Sequence, residues 1–215
     1  GIHALMRLPV RRASRVGLLR AAAARASACS ILPEKEPVDT YALPGTLSQR
    51  AAGVYSAGIS PALRVVRPVA GGAIAGKRIV LMPEPYQFSV YQGVVWSEPA
   101  AQLVRDRIVD AFLADGRLPS ITTDEGVMAH ADLLLSSQLR DFQSVYEDGQ
   151  PVVVVRLDAH LLNASTNRII ASRSFSHRHS VIGKEVPQVV QAFGAATDSV
   201  AQDLVDWAVQ HAATR

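Results

Sequence analysis

Apolar positions along the chain follow two periods, and each period predicts a different kind of secondary structure. Runs that are rich in β-branched residues, or that alternate apolar with polar residues, predict strands, because alternate side chains of a strand point to opposite faces. Apolar residues spaced three and four apart predict helices, because those positions share one helical face. Strands are predicted at residues 63–70, 78–82, 87–91, 132–142, 152–162 and 169–177.

Two helices are predicted between and after these strands. The first has Ser97 as its N-cap and Pro99 in its first turn, and Gly116 ends it. The second opens at Pro187 and carries one apolar stripe, formed by Phe193, Ala196, Val200, Leu204 and Trp207. The order strands, helix, strands, helix predicts a single α/β domain, a mixed β-sheet with two long helices packed on it.

The last two predicted strands carry histidines, which are common metal ligands. His177 and His179 share one face of their strand, which is the spacing of a metal-binding pair. A simple hairpin closed by residues 163–167 would place His160 opposite Ile170, far from that pair. Because a third ligand is missing, we interpret these histidines as solvated side chains and predict no metal site.

The first 28 residues differ from the rest of the chain in composition. They hold six arginines and no acidic residue, with an apolar stretch at 16–24 and small residues at 26–28, which is the order of an export signal. Arg20 and Arg25 interrupt the apolar stretch, so an organellar transit peptide is an alternative. We predict a signal peptide at residues 1–28, a tether and loop-rich segment at 29–60 and an α/β domain at 61–215.

The single cysteine of the chain, Cys29, follows the small residues of this leader directly. One thiol excludes a disulfide framework and any CxxC-type zinc or redox site. Small residues before a cysteine resemble a lipoprotein signal, in which the thiol is acylated and becomes the first residue of the mature chain. Cys29 is therefore the candidate lipid anchor, and the alternative is an inert thiol in an amphipathic helix.

The net charge changes sign when the leader is set aside. The chain has 22 basic and 19 acidic residues, a charge of +3. Removing the six leader arginines leaves 16 basic residues against the same 19 acidic ones, a charge of −3. A nucleic-acid-binding domain clusters Lys and Arg on its own surface, so we predict no nucleic-acid partner. No apolar run in the sequence reaches the ~18 residues that a membrane-spanning helix needs.

Residues 71–78 resemble the sequence of a phosphate-binding loop but lack two features that such a loop needs. They match GxxxxGK, yet Arg78 occupies the position of the Ser or Thr that binds magnesium, and a predicted strand follows in place of a helix. The sequence also contains no GxSxG elbow and no recognisable pair of nucleophile and base. We therefore predict no nucleotide binding, no cofactor and no enzymatic activity.

Four aromatic residues lie between the second predicted strand and the first helix, namely Tyr86, Phe88, Tyr91 and Trp96. Aromatic residues near such a junction commonly fill a core. Tyr and Trp are also enriched on surfaces that bind partner proteins. Tyr91 and Trp96 are our candidates for a partner-binding surface.

Several short motifs follow one another along the chain in a characteristic order. They are Cys29 after small residues, Tyr41-Ala-Leu43, Ile79-Val-Leu81, Tyr91 to Trp96-Ser-Glu-Pro99, Leu139-Arg-Asp-Phe142 and the late Trp207. In this order of motifs the chain resembles the ABC-type transport auxiliary lipoproteins from Cys29 to Trp207. The resemblance implies an α/β sandwich with an anticodon-binding-like topology.

The same resemblance implies a non-enzymatic lipoprotein of the Gram-negative envelope that works with a mammalian-cell-entry (MCE) type ABC transporter of phospholipid or other hydrophobic substrates. Its implied partners are an MCE-domain protein with its permease and ATPase, and further copies of the chain in a ring. Ser30 stands where an Asp commonly retains lipoproteins in the inner membrane, which implies the periplasmic face of the outer membrane. Alternative locations are the soluble periplasm and an organelle. Alternative functions are a free-standing ligand-binding module and a lipoprotein hydrolase.

Overall fold

The computed structural model describes residues 35–45 and 61–213. The chain divides into two compact units, Gly1–Lys35 and Glu36–Arg215, and the fold described here is that of the second. Its described residues form nine strands, a 3-10 helix at Gly72–Ile74 and two α-helices. The strands are β1 (Asp39–Tyr41), β2 (Leu63–Val65), β3 (Val69–Ala70), β4 (Arg78–Glu84), β5 (Gln87–Trp96), β6 (Ile121–Thr123), β7 (Leu133–Glu147), β8 (Gln150–Asn163) and β9 (Ile169–Ser180), and the helices are α1 (Ala100–Asp115) and α2 (Val186–Ala212).

The long strand β7 organises the sheet. Along one edge it pairs in parallel with three strands in turn, β2 near its start, β3 at its middle and β4 near its end. Along its other edge it pairs with the antiparallel strand β8. β5 extends the sheet beyond β4, and β6 extends it beyond β2. A mixed sheet with two helices confirms the predicted α/β class.

The direction of β1 shows how the chain reaches the domain. β1 pairs in parallel with the second half of β5, with Asp39 opposite Val94 and Tyr41 opposite Trp96. β5 begins at the turn that joins it to β4 and runs toward α1. Because β1 is parallel to β5, residues 35–38 enter β1 from the side of the β4–β5 turn.

The predicted apolar faces form the core. On β8 every second side chain is buried, namely Val153, Val155, Leu157, Ala159 and Leu161. The predicted stripe of α2 is buried as well, from Phe193 to Trp207. β8, β9 and α2 pack closely against one another, so the core lies between the sheet and the helices. Burial of these apolar side chains is the main driving force for the fold.

Helices α1 and α2 lie side by side and run in the same direction. Two ion pairs mark the alignment, Arg107 of α1 with Asp198 of α2 and, just past the C-terminus of α1, Arg117 with Asp206 further along α2. The C-terminus of α1 is as predicted, because Gly116 adopts a left-handed conformation with φ 80° and donates its N–H to the Phe112 carbonyl. The predicted N-cap was wrong by two residues, since Pro99 and not Ser97 precedes the first helical residue.

Two further details of the sequence prediction are corrected by the structure. The predicted strand at residues 63–70 is interrupted, and its two ends form β2 and β3. In the β8–β9 hairpin, His160 pairs with Ser172 and not with Ile170. The reason is twofold: the Asn163 N–H bonds to the Arg168 carbonyl, one residue later than assumed, and Ile170 is an extra residue at a bulge between the Leu161 and Leu162 pairs.

Candidate functional site

Residues 39–45, which we call the N-terminal arm, are held by a buried arginine of α1. The Nη1 atom of Arg107 donates to the Pro44 carbonyl at 2.8 Å, and its Nη2 atom donates to the Leu43 carbonyl at 2.9 Å. The same guanidinium forms an ion pair with Asp198 of α2. Both charged side chains are almost fully buried. Arg107 thus connects both helices to the arm, and a planar guanidinium with five N–H donors suits this arrangement.

Two glycines allow the arm to approach this arginine and α2 closely. A Cβ atom at Gly194 would lie 2.4 Å from the Pro44 carbonyl oxygen, which is closer than two such atoms can come. A Cβ atom at Gly45 would lie 2.5 Å from the guanidinium carbon of Arg107. Glycine inside α2 is unfavourable for the helix itself. Its presence at position 194 is explained by the contact with the arm.

The turn between β4 and β5 presents two aromatic side chains to solvent. Glu84 pairs with Gln87, so Pro85 and Tyr86 are the two central residues of this turn. Tyr86 is 96% exposed, and Phe88 is 55% exposed. Tyr86 has φ 66°, a left-handed conformation in which glycine or asparagine is favoured after proline. Such a conformation costs a residue with a side chain roughly 1–2 kcal/mol, and the exposed ring recovers none of it by burial.

The two predicted partner-binding residues, Tyr91 and Trp96, do not lie in this exposed turn. Trp96 is 1% exposed, and its ring packs on Phe142 and Phe193 with centroid distances of 5.9 and 5.2 Å. Tyr91 is half-buried, and its hydroxyl lies 2.7 Å from the Ser144 Oγ. Burial raises the pKa of the Tyr91 hydroxyl above its ordinary value of 10.0, because the charged form would be poorly solvated there. Trp96 thus packs in the core, which was the alternative interpretation. Of the four aromatic residues between β4 and α1, Tyr86 and Phe88 are the exposed ones.

The polar clusters of the domain connect secondary-structure elements. His177 Nε2 lies 2.7 Å from Asp203 Oδ2 and so links β9 to α2, and His160 Nδ1 lies 2.5 Å from the Ser172 Oγ across the β8–β9 pair. Arg105 is buried and forms ion pairs with Asp124 and Glu125, which attach the loop after β6 to α1. Within residues 35–45 and 61–213, no group of three or more His, Cys, Asp or Glu side chains is placed to hold a metal ion.

The clefts in this part of the chain are shallow and open. One of about 410 Å³ lies between the end of β9 and the start of α2, with Ile182 and Gln191 in its lining. Another of about 340 Å³ lies between the helices and is lined in part by Ala111 and Gln202. Of the helices in the described residues, none is long and apolar enough to cross a membrane. Cys29, the predicted lipid anchor, lies outside the described residues.

The described residues thus form one α/β domain. Its distinctive features are a firmly held N-terminal arm and an exposed aromatic turn. The family of ABC-type transport auxiliary lipoprotein components has a model that matches residues 41–205. The match covers most of the chain, from β1 into α2. This chain belongs to the ABC-type transport auxiliary lipoprotein family, as the order of its sequence motifs predicted.

Two solved structures and one curated protein are similar to this chain. The crystal structure of protein XCC0632 from Xanthomonas campestris superposes with a TM-score of 0.73 at 28% identity, over 82% of this chain and 98% of that one. A second crystal structure, of an uncharacterized protein, shares the fold with a TM-score of 0.58 at 17% identity, over 81% of this chain and 99% of that one. An uncharacterized Bradyrhizobium diazoefficiens protein, bll6063, is 26% identical over 70% of this chain, which spans 40% of that relative's length.

The family describes an auxiliary component of ABC transport and indicates no enzymatic activity. The family is one of lipoproteins, the class that the small residues before Cys29 also resemble. Two features of the structure were missed by reasoning from the sequence, the Arg107 contacts with the arm and the exposure of Tyr86. A signal for the first exists, because Arg107 lies on the same helical face as Val104 and Ala111, both of which are buried.

Proposed function

We propose that this chain is a non-enzymatic lipoprotein subunit of an MCE-type ABC transport system that moves phospholipid or other hydrophobic substrates between the inner and outer membranes. Its role is to anchor and dock: the acylated Cys29 holds the domain at the periplasmic face of the outer membrane, and the domain binds the transporter. The observation that carries this proposal is the family match over residues 41–205.

The structure supports an anchoring role through the N-terminal arm. A lipid anchor at Cys29 lies ten residues before β1, so any force on the anchor reaches the domain through the arm. Arg107 holds the arm by two backbone carbonyls and by its ion pair with Asp198. Hydrogen bonds from a charged donor are about twice as strong as neutral ones. The arm is therefore attached at the point where an anchored protein needs a firm connection.

We expect Cys29→Ser to move the protein from the membrane fraction to the soluble fraction of the cell envelope. Acylation contributes ~0.8 kcal/mol of membrane affinity per buried methylene, and the serine hydroxyl cannot carry the thioether-linked lipid. The measurement is fractionation followed by intact-mass determination of the mature N-terminus. Ser30→Ala is the matched control, since it alters the neighbouring residue and keeps the thiol. A Cys29→Ser protein that stays with the membrane would contradict the anchor.

We expect the tagged full chain, solubilised in mild detergent from its native host, to co-purify with an MCE-domain protein together with its permease and ATPase. A docking subunit must form a complex that outlasts the purification. The Cys29→Ser protein, purified from the soluble fraction, separates membrane co-localisation from direct binding when it is mixed with the purified transporter. A chain that is recovered alone with bound lipid would favour a free-standing lipid-binding module instead.

A further inference from the structure

The turn between β4 and β5 carries aromatic side chains that the folded domain does not use. Tyr86 is 96% exposed, and it occupies a left-handed backbone position that favours glycine or asparagine. Phe88, the second residue of β5, is 55% exposed. A residue held in an unfavourable conformation without packing contacts points to a role outside the domain. We call Tyr86 and Phe88 the aromatic tip.

The register of the sheet places a third exposed apolar residue at the same end of the domain. Met82 near the end of β4 pairs with Val145 of β7, which pairs with Val152 of β8, and Val152 pairs with Ser180 at the end of β9. Ile182, two residues beyond Ser180, is 87% exposed. This end of the sheet therefore presents Tyr86, Phe88 and Ile182 to the surroundings.

The N-terminal arm approaches the sheet from this end. β1 is parallel to β5, so residues 35–38 enter β1 from the side of the β4–β5 turn. From the level of Val94 back to Tyr86, eight residues of β5 and the turn span about 26 Å at the rise of a strand. The ten residues from Cys29 to Asp39 span at most ~36 Å. A lipid-linked Cys29 can therefore sit in a bilayer that also touches the aromatic tip.

The charges at this end distinguish two ways of binding a membrane. Four acidic and two basic residues lie near this end of the sheet, and one of the basic residues, Arg178, forms an ion pair with Glu147. The acidic residues are Glu84, Glu147, Asp148 and Glu185, and the basic ones are Arg178 and Lys184. Attraction to anionic lipid would need an excess of Lys and Arg. Apolar insertion needs none, and Tyr is enriched at the membrane interface because its ring is apolar and its hydroxyl is polar.

We propose that the aromatic tip, Tyr86 with Phe88, inserts into the interface of the phospholipid bilayer that holds the lipid anchor, and thereby fixes the orientation of the domain on the membrane. This inference rests on the proposed lipid anchor at Cys29. The acyl chains hold the chain at the surface, and the tip adds a second contact at the same end of the sheet. The opposite end of the sheet, which carries Val127, then faces away from this bilayer.

Tryptophan placed at single positions of the acylated full chain tests this orientation. The reporters are Tyr86→Trp and Phe88→Trp. The matched control is Val127→Trp, because Val127 is 80% exposed and its carbonyl accepts a hydrogen bond from Thr122 at the opposite end of the sheet. Wild-type protein supplies the background, since Trp96 and Trp207 are buried. Each protein is reconstituted into phosphatidylcholine vesicles with and without brominated acyl chains, which quench tryptophan on contact.

We expect roughly half or more of the added fluorescence to be quenched at positions 86 and 88, because interfacial side chains reach the boundary between headgroups and acyl chains. Quenching at position 127 should stay at the wild-type background, and raising the salt concentration should leave all three results unchanged. Flotation of the same samples reports the anchor separately. Vesicles that carry the protein without quenching at 86 and 88 would overturn the proposal and leave the anchor standing.

Three further outcomes would each overturn the proposal. Protein that does not float with the vesicles would overturn the anchor and, with it, the orientation that rests on it. Equal quenching at 86, 88 and 127 would overturn a defined orientation. If the Tyr86→Trp reporter becomes protected only after the purified MCE-domain protein is added, the aromatic tip belongs to a protein partner instead of the bilayer, and the proposal is overturned.

Discussion

Replacing Arg107 by alanine is expected to lower the free energy of unfolding by about 3–5 kcal/mol, because it removes one partner of a buried ion pair. Asp198 is then left in the core without the guanidinium, and the side chains of the pair are only 10% and 6% exposed. The carbonyls of Leu43 and Pro44 lose their donors as well. For a domain of this size the midpoint of thermal unfolding should fall by about 10 °C or more. Calorimetry or thermal circular dichroism measures it.

The matched control is an ion pair at the surface, between the residue that follows the C-terminal cap of α1 and helix α2. Arg117 forms an ion pair with Asp206 of α2, and both side chains are largely exposed. Exposed pairs contribute little to stability, so Arg117→Ala should leave the midpoint close to that of the wild type. Equal effects of Arg107→Ala and Arg117→Ala would contradict the importance of burial.

A double variant separates the energy of the buried charges from the attachment of the arm. Arg107→Met combined with Asp198→Leu replaces the pair by apolar side chains, which commonly restores most of the lost stability. The arm carbonyls remain without the Arg107 donors, so the arm should become accessible to chymotrypsin, which cleaves after Tyr41. A stable double variant with a fully protected arm would show that β1–β5 pairing and the contact at Gly194 suffice to hold it.

The elements of the fold could be predicted because each leaves a local pattern. The alternation in β8 and the stripe of α2 record directly which side chains are buried. The arrangement of β7, with three parallel strands along one edge, leaves no such pattern, because those strands are far apart in sequence. The hairpin register was wrong because the loop closes one residue later than assumed and because a bulge at Ile170 adds a second residue that periodicity does not reveal.

The candidate site was predictable only in part, for the same physical reason. The family could be recognised from the order of motifs, and the candidate anchor from the residues before Cys29. The contact between Arg107 and the arm joins residues more than 60 positions apart, so only the unusual placement of a charge on an apolar face hinted at it. The exposure of Tyr86 could not be predicted from the sequence, because an aromatic residue that follows proline in a turn can be either buried or exposed.

The aromatic cluster around Trp96 gives the second large expected effect. Trp96 of β5 meets Phe193 of α2 edge to face and also touches Phe142 of β7, while these two phenylalanines lie 4.9 Å apart. Trp96→Ala removes the largest of the fully buried side chains in the described domain and should cost about 3–5 kcal/mol. Chemical denaturation with intrinsic Trp207 fluorescence as the probe measures the loss. β1 should loosen too, since Tyr41 pairs with Trp96.

Trp96→Phe distinguishes packing from a polar or partner-binding role of the same residue. The buried indole Nε1 has no hydrogen-bond partner among the described residues, so its removal sacrifices no hydrogen bond. The smaller ring leaves a modest cavity, for which we expect a loss of about 1 kcal/mol. If Trp96 acts through the core, Trp96→Phe retains co-purification with the transporter. Loss of the complex by a variant of near-normal stability would instead show that Trp96 contacts the partner. The domain would then have to expose this buried side chain when the partner binds.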